Sequence, residues 1–167
     1  MGGRPVAIRA RNPLAQLSFL PIECTTTTPN TKGLITMRAR TETVRLLTEY
    51  FAAMEANNPR EFGSYYAENM TLTFGNSPEI TGRDNIMSAL SEMLDKVVSL
   101  GHDLVNVWEE EGGVVFFEDI GRWTLRGGAV IEIKAASKIT IVDGKFVDQR
   151  IYVDNAPLFE ALERDNG

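Results

Sequence analysis

The spacing of hydrophobic residues changes along the chain, and each change predicts a different kind of element. In "TETVRLLTEYFAAMEANNP" they recur every three or four positions, which predicts a helix with threonine caps at its start and a stop at Asn58-Pro59. Pro59 suits the first turn of a short second helix. "MTLTF" predicts a brief strand, and "RDNIMSALSEMLDKVVSL" predicts a long amphipathic helix that stops at Gly101.

After Gly101 the pattern predicts strands joined by hairpins. The turns fall at "EEEGG", at "RGG" and at Asp143-Gly144, where the Asp-Gly pair is a strong hairpin signal. "KFVDQRIYV" predicts the last strand and "APLFEALERD" a short terminal helix. Helices followed by a run of hairpins indicate an α+β fold. We expect a cone-shaped α+β barrel, in which one curved antiparallel sheet wraps around amphipathic helices.

The N-terminal 36 residues differ from the rest of the 167-residue chain. They are basic, poor in acids and interrupted by prolines, which predicts an irregular extension that packs on the surface or on a partner subunit. The same composition also fits an organellar transit peptide. Residues 37–167 then form a single domain with room for a substantial core, and Met37 is a natural start for it.

Charge and residue counts narrow the classes of function. A net charge of −6 argues against a nucleic-acid-binding protein. No run approaches the roughly 18 apolar residues that span a bilayer, so we expect no membrane partner. One cysteine, Cys24, and one histidine, His102, exclude a disulfide framework and the usual zinc sites, and fit a cytoplasmic protein. We expect no cofactor and no metal, although a carboxylate-only metal site stays open.

Three stretches resemble one known family. They are "YFAAMEANNPREFGSYYAENMTLTF", "TGRDNI" and "DGKFVDQRIYVDNAPLF". In this order, over residues 41–162, the chain resembles the nuclear-transport-factor-2-like superfamily, specifically its polyketide-cyclase-like branch. That superfamily includes ketosteroid isomerases, scytalone dehydratase, limonene epoxide hydrolase and many non-enzymes. The resemblance therefore implies the fold, while function has to be argued from the site.

Two catalytic sets of that superfamily can be compared with this sequence. Ketosteroid-isomerase-like catalysis uses a tyrosine, a proton-moving carboxylate and a protonated aspartate. The resemblance puts Tyr50, Phe74 and Ser137 at those positions. A phenylalanine cannot accept a proton, so this mechanism is not expected here.

Limonene-epoxide-hydrolase-like catalysis uses two aspartates bridged by an arginine. The matching positions hold Ile120 and Ile151 for the aspartates and Glu118 for the arginine. That set is also absent, so neither chemistry is inherited intact.

The resemblance instead implies another polar lining for the cone. It directs Glu118, Ile120 and Arg122 of one strand toward the cavity, with His102 nearby. Glu118 would be a general acid or base, Arg122 would hold an oxyanion, and His102 would relay a second proton. The expected ligand-binding residues are Tyr50, Phe74, Ile120, Ser137, Gln149 and Ile151. Structural roles are the alternative: surface pairing for Glu118 and Arg122, a helix-end histidine, and a core tyrosine.

The opposite strand face is expected to carry Asp119 and to mediate assembly. Its hydrophobic residues would be Val105, Val107, Val115, Phe117, Trp123 and Val130. An exposed apolar face of this kind indicates association, so we expect a homodimer through the outer sheet face.

Three functions follow from this interpretation. The first is an enzyme that applies general acid–base chemistry to a hydrophobic small molecule, as an epoxide hydrolase, isomerase or cyclase does. The second is a non-catalytic module that binds such a molecule. The third is a structural dimerisation domain whose cone is filled by side chains.

Overall fold

A computed structural model describes residues 38–165, so the predicted extension, Met37 and Cys24 lie outside the described residues. The helices are α1 (Thr41–Glu55), α2 (Pro59–Phe62), α3 (Arg83–Leu94) and α4 (Ala156–Asp165). The strands are β1 (Tyr66–Phe74), β2 (Ile80–Thr81), β3 (Ser99–Glu110), β4 (Val114–Thr124), β5 (Val130–Val142) and β6 (Lys145–Val153). Short 3₁₀ turns occupy Gly63–Tyr65 and Glu111–Gly113. Within this part of the chain no helix combines the length and hydropathy needed to cross a membrane.

The six strands form one curved sheet in the order β2-β1-β6-β5-β4-β3. This confirms the α+β prediction. The expectation of a wholly antiparallel sheet is wrong at one place, because β1 and β6 pair in parallel. These two strands are far apart in the sequence and are not joined by a hairpin, so no turn forces them to run in opposite directions. The sheet is open, with β2 and β3 at its edges.

The element boundaries follow local chemistry. The helix from Thr41 and the terminal helix are confirmed, and Asp143 and Gly144 both adopt positive φ, as their tight hairpin requires. The helix predicted to stop at Gly101 ends earlier, at Leu94. The following "VVSL" contains adjacent β-branched residues that favour a strand. Gly101 and His102 therefore lie inside β3, not at a helix end.

The two faces of β4 are the reverse of those predicted. Val115, Phe117, Asp119 and Trp123 are buried, whereas Glu118 is exposed. Side chains alternate along a strand, so an error of one position exchanges its faces. The expectation that Glu118, Ile120 and Arg122 face the interior is therefore wrong, as is the expectation that Val115, Phe117 and Trp123 face outward.

The start of α1 is held by a residue from a distant strand. Arg40 at the N-cap position makes no side-chain cap, so the predicted threonine capping is not what holds this end. Glu109 of β3 instead accepts hydrogen bonds from the Arg40 backbone N–H (3.0 Å) and the Thr43 hydroxyl (2.8 Å). The Arg40 guanidinium also binds this carboxylate. Helix α1 is thereby fixed against the edge of the sheet.

Candidate functional site

A pocket lies between the inner face of the sheet and helices α1 and α3. Its enclosed space is about 70 Å³, within a larger depression that opens to solvent. Its wall is mainly apolar and aromatic, with a few polar groups. The lining residues are Tyr50, Phe51, Met54, Leu72, Phe74, Leu90, His102, Phe117, Asp119, Gly121, Trp123, Ile133, Ala135, Ser137, Gln149, Ile151, Val153 and Asn155. Such a mixture is typical of small-molecule sites.

Asp119 is the carboxyl group of this pocket. It lies on the inner face of β4, between Leu104 of β3 and Ala135 of β5. Its side chain is 8% exposed and has no hydrogen-bond partner between residues 38 and 165. No polar side-chain atom in that range is both sealed and unpartnered, so the carboxyl oxygens open onto the pocket. Burial raises the pKa of Asp119 to about 6.

His102 is a second titratable group in the pocket wall. It pairs across the sheet with Gly121, which puts it on a diagonal from Asp119. Diagonal side chains lie roughly 7 Å apart, close enough for a small ligand group to contact both. The His102 Nδ1 atom lies 3.3 Å from Glu55 Oε1. Burial lowers the pKa of His102, and the charge of Glu55 opposes this shift.

Tyr50 supplies a phenol group from α1. Its hydroxyl lies 2.7 Å from that of Tyr66, and both rings are buried. Burial raises the pKa of Tyr50 well above its ordinary value, and the nearby charge of Asp119 adds to the effect. Tyr50 therefore keeps its proton. Either hydroxyl can donate the bond between them; when Tyr66 donates it, the Tyr50 O–H is free to donate into the pocket.

The remaining polar groups come from β5, β6 and the end of β4. Ser137 and Gln149 are buried and line the pocket. Trp123 Nε1 lies only 3.1 Å from the point where a Cβ on Gly121 would be. Gly121 thus provides the room that the Trp123 indole occupies. Within the described chain no group of three or more His, Cys, Asp and Glu side chains is arranged to hold a metal ion.

The structure brings together most, but not all, of the residues predicted for the site. Those in the pocket wall are His102, Tyr50, Phe74, Ser137, Gln149 and Ile151. Glu118, Ile120 and Arg122 lie on the other side of the sheet. There Glu118 accepts a hydrogen bond from Asn106 (2.7 Å), and Arg122 binds Asp103 and Glu132. These contacts match the surface-pairing alternative for both residues.

Sequence reasoning missed the role of Asp119 by assigning it to the outer face. One signal favours the inner face: Val115, Phe117 and Trp123 share its period-two register, and these are large hydrophobic side chains. A carboxyl group within such a set is the feature that identifies a pocket lining. Glu55 was missed because its partner, His102, is 47 residues away in sequence.

Comparison with known proteins agrees with this architecture. The profile of the SnoaL-like domain matches residues 47–149. Comparison with curated proteins gave no significant match. Among solved structures, a protein proposed to be a SnoaL-like polyketide cyclase from Jannaschia sp. CCS1 superposes with a TM-score of 0.63 at 14% identity, covering 73% of this chain and 92% of its own.

Two further solved structures share the fold. An LEH-like epoxide hydrolase from M. tuberculosis has a TM-score of 0.61 at 17% identity, covering 75% of this chain and 92% of its own. A protein proposed to be an isomerase from Bacillus subtilis has a TM-score of 0.63 at 19% identity, covering 72% and 91%. At these identities the similarity shows a common fold and no more.

Proposed function

The chain belongs to the family of SnoaL-like domains, and we propose that it is an enzyme of that family that applies acid–base chemistry to a hydrophobic small molecule. Proteins that share the fold carry names as different as cyclase, isomerase and epoxide hydrolase. The choice of an enzymatic function therefore rests on this chain's own pocket. In this proposal Asp119 transfers the proton.

The observation that carries the proposal is the placement of Asp119. Its carboxyl group is buried among apolar residues, has no hydrogen-bond partner among residues 38–165 and opens onto the pocket. A structural carboxylate is normally satisfied by donors. A group with a pKa of about 6 exchanges protons readily near neutral pH, which is what a general acid or base needs.

The other wall groups indicate the substrate's charge. Among residues 38–165 the pocket lining contains no lysine or arginine, so an anionic substrate would meet no cation from this part of the chain and would be repelled by ionised Asp119. A neutral hydrophobic compound fits better. Tyr50 is suited to donate a hydrogen bond to a carbonyl or epoxide oxygen while Asp119 moves a proton on a neighbouring atom. Double-bond migration, aldol-type cyclisation and epoxide opening all need a hydrogen bond to a substrate oxygen and a proton transfer at a neighbouring atom.

A binding module without chemistry is the second candidate. The mainly apolar wall supports it, because such a wall stabilises a hydrophobic ligand whether or not a proton moves. The third function, a cone largely filled by side chains, is a further candidate, because the enclosed space of about 70 Å³ is well below the roughly 300–1,000 Å³ typical of drug-sized ligand pockets. Turnover distinguishes the first two.

Ring opening of 5-nitrobenzisoxazole tests the proposal without knowledge of the natural substrate. A base removes the ring C–H proton, the C–H electrons complete a nitrile as the N–O bond breaks, and a coloured nitrophenolate is released. We expect the protein to accelerate this reaction, with a rate that rises with pH through about 6 as Asp119 ionises. Asp119→Asn should lower the rate by at least about a hundredfold.

Glu118→Gln is the matched control, because it removes the adjacent carboxylate on the outer face of the same strand. It should leave the rate unchanged. Equal losses in the two variants, or no loss in Asp119→Asn, would reject Asp119 as the proton-transferring group. Saturable binding of hydrophobic compounds with no turnover of the probe would favour the binding module.

A further inference from the structure

The ring of His102 forms part of two surfaces at once. On the inside it lines the pocket together with Asp119, and on the outside it lines a groove together with Thr48 and Glu55. The ring stacks on Phe51, with 4.4 Å between centroids and 22° between planes. Phe51 also lines both surfaces. This stacked pair is therefore a wall that separates the pocket from the groove.

Glu55, at the end of α1, binds His102 twice. Its Oε1 atom accepts a hydrogen bond from the His102 backbone N–H at 2.6 Å and lies 3.3 Å from Nδ1 of the ring. A carboxylate accepts but does not donate, so a bond to Nδ1 requires the proton to be on Nδ1. In a neutral imidazole the other nitrogen, Nε2, is then an acceptor.

The Nε2 atom is free to meet a ligand. It has no hydrogen-bond partner among residues 38–165, and no buried side-chain polar atom in that range lacks a partner, so Nε2 keeps some open surface. The backbone bond to Glu55 and the stacking on Phe51 fix the ring from two directions. A fixed ring with one satisfied nitrogen and one open nitrogen is the arrangement that an oriented base shows.

We propose that Glu55 is a positioning residue that holds His102 with its proton on Nδ1, so that Nε2 acts as a second proton acceptor beside Asp119. The inference rests on the proposed function, since it assigns a second group to the same pocket. With both groups present, either one takes a proton from the substrate and gives the same proton back at another substrate atom. The proton count of the site is then unchanged after each turnover.

The charges around His102 are consistent with this role. Three acidic groups lie near it: Glu55 from α1, Asp103 beside it on β3, and Asp119 from β4. Asp103 is bound to Arg122, which offsets its charge. Burial lowers the pKa of His102 more than the charge of Glu55 raises it, so the ring is neutral at pH 7 and can accept a proton.

Nitrogen-15 NMR of the imidazole ring tests the tautomer directly. His102 is the only histidine of the chain, so its ring signals need no assignment. In the unaltered protein at about pH 8 we expect the pattern of a proton on Nδ1. Glu55→Ala removes the acceptor and should shift the population toward a proton on Nε2. Glu55→Gln keeps an acceptor oxygen and should retain the original tautomer.

Glu49→Ala, on the same helix, is the control. Glu49 pairs with Arg45 at the surface and does not contact His102, so this variant should leave the ring signals unchanged. A proton on Nε2 in the unaltered protein would overturn the inference, whether or not Glu55→Ala folds. An unchanged tautomer in Glu55→Ala would overturn it as well.

Turnover of 5-nitrobenzisoxazole then separates this inference from the proposed function. In Asp119→Asn, the residual rate should follow the His102 titration seen by NMR. Adding Glu55→Ala to that variant should lower the residual rate by at least about tenfold. An equal rate in the single and double variants would reject Nε2 as a second acceptor, while a large loss in Asp119→Asn alone would still support Asp119. No loss in Asp119→Asn would instead reject the proposed function.

Discussion

The pKa of Asp119 shows how strongly the surroundings of a residue change the affinity of its side chain for a proton. Phe117, Gly121 and Trp123 lie on the same strand face and leave little water to stabilise a negative charge. The carboxyl group therefore binds its proton more tightly in the folded protein, with a pKa of about 6 against an ordinary 3.8. The fold accepts a poorly solvated charge at neutral pH, which is a common property of functional sites.

The free energy of unfolding of an Asp119→Asn variant should reveal how much the buried negative charge of Asp119 destabilises the folded protein. Because the folded pKa is the higher one, ionising Asp119 destabilises the folded state as pH rises from about 4 to above 6. An asparagine stays neutral. We expect the variant's free energy of unfolding, relative to the unaltered protein, to be greater at pH 7.5 than at pH 4.5 by on the order of 1–2 kcal/mol. Urea denaturation at the two pH values measures it.

Glu118→Gln serves again as the comparison, because the Glu118 side chain is exposed. Its effect on the free energy of unfolding should change little between the same two pH values. A pH-independent difference for Asp119→Asn would mean that the carboxyl group is as well solvated in the folded protein as in the unfolded chain.

At the scale of elements, the sequence predicts the helices and the hairpin turn, but it does not predict which face of strand β4 is buried. Helix α1, the Asp143-Gly144 hairpin and α4 follow from periodicity and turn chemistry, which are local signals. The faces of β4 do not, because both alternating sets contain hydrophobic residues: Val115 and Phe117 on one, Phe116 and Ile120 on the other. Packing against α1 decides between them, and packing is not a local property.

The same limit explains which site residues were predictable. Ser137 and Gln149 on β5 and β6 line the pocket, as the family resemblance implied, and both are buried. The predicted faces of β4 were wrong by one residue, so Glu118 was expected in the pocket where Asp119 lies. The end of α3 was overestimated because "DKVVSL" continues the helical period although the chain already turns into β3.

The link between α1 and β3 gives an element-scale prediction. Glu109 accepts hydrogen bonds from Arg40 and Thr43, and these hold its pKa at about 2, below the ordinary 4.5. Its stabilising effect is therefore present above about pH 4.5 and is lost as pH falls toward 2. Glu109→Gln should cost about 1–2 kcal/mol of unfolding free energy at pH 7 and less at pH 3.

Chemical denaturation at both pH values, with Glu110→Gln as the control, checks this prediction. Glu110 is the exposed neighbour on the same strand. A loss in Glu110→Gln as large as that in Glu109→Gln would show that general surface charge, and not the helix start, accounts for the effect.

At the scale of the whole molecule, the open sheet has one covered and one uncovered face. Helices cover the face that lines the pocket. The other face carries exposed Phe116, Val130 and Tyr152 among charged side chains. Of the residues predicted for this face, Val105 and Val130 are exposed, whereas Val115, Phe117 and Trp123 are buried inside. The composition of the outer face differs from the prediction, but hydrophobic side chains are still present on it.

We propose that two copies of the chain associate through this outer face as a twofold dimer. Exposed aromatic side chains at the centre of a sheet gain by being removed from water. The charges around them have both signs, with Arg122 bound to Asp103 and Glu132 and Lys138 bound to Asp148, so a second copy would meet no single-sign repulsion. A twofold axis lets the same face serve both subunits.

Sedimentation velocity at micromolar concentrations tests the dimer. We expect the unaltered protein to sediment at twice the monomer mass and Phe116→Glu to sediment as a monomer, because a carboxylate at the centre of the interface would be buried without a partner. Phe159→Glu is the matched control, since Phe159 is similarly exposed but lies on helix α4 and not on a strand of the outer sheet face. A monomer in the unaltered protein, or dissociation by Phe159→Glu and not by Phe116→Glu, would reject the outer face as the interface.

Because Phe116 points away from Asp119 on the same strand, Phe116→Glu should also keep its activity toward 5-nitrobenzisoxazole if each subunit's pocket is complete on its own.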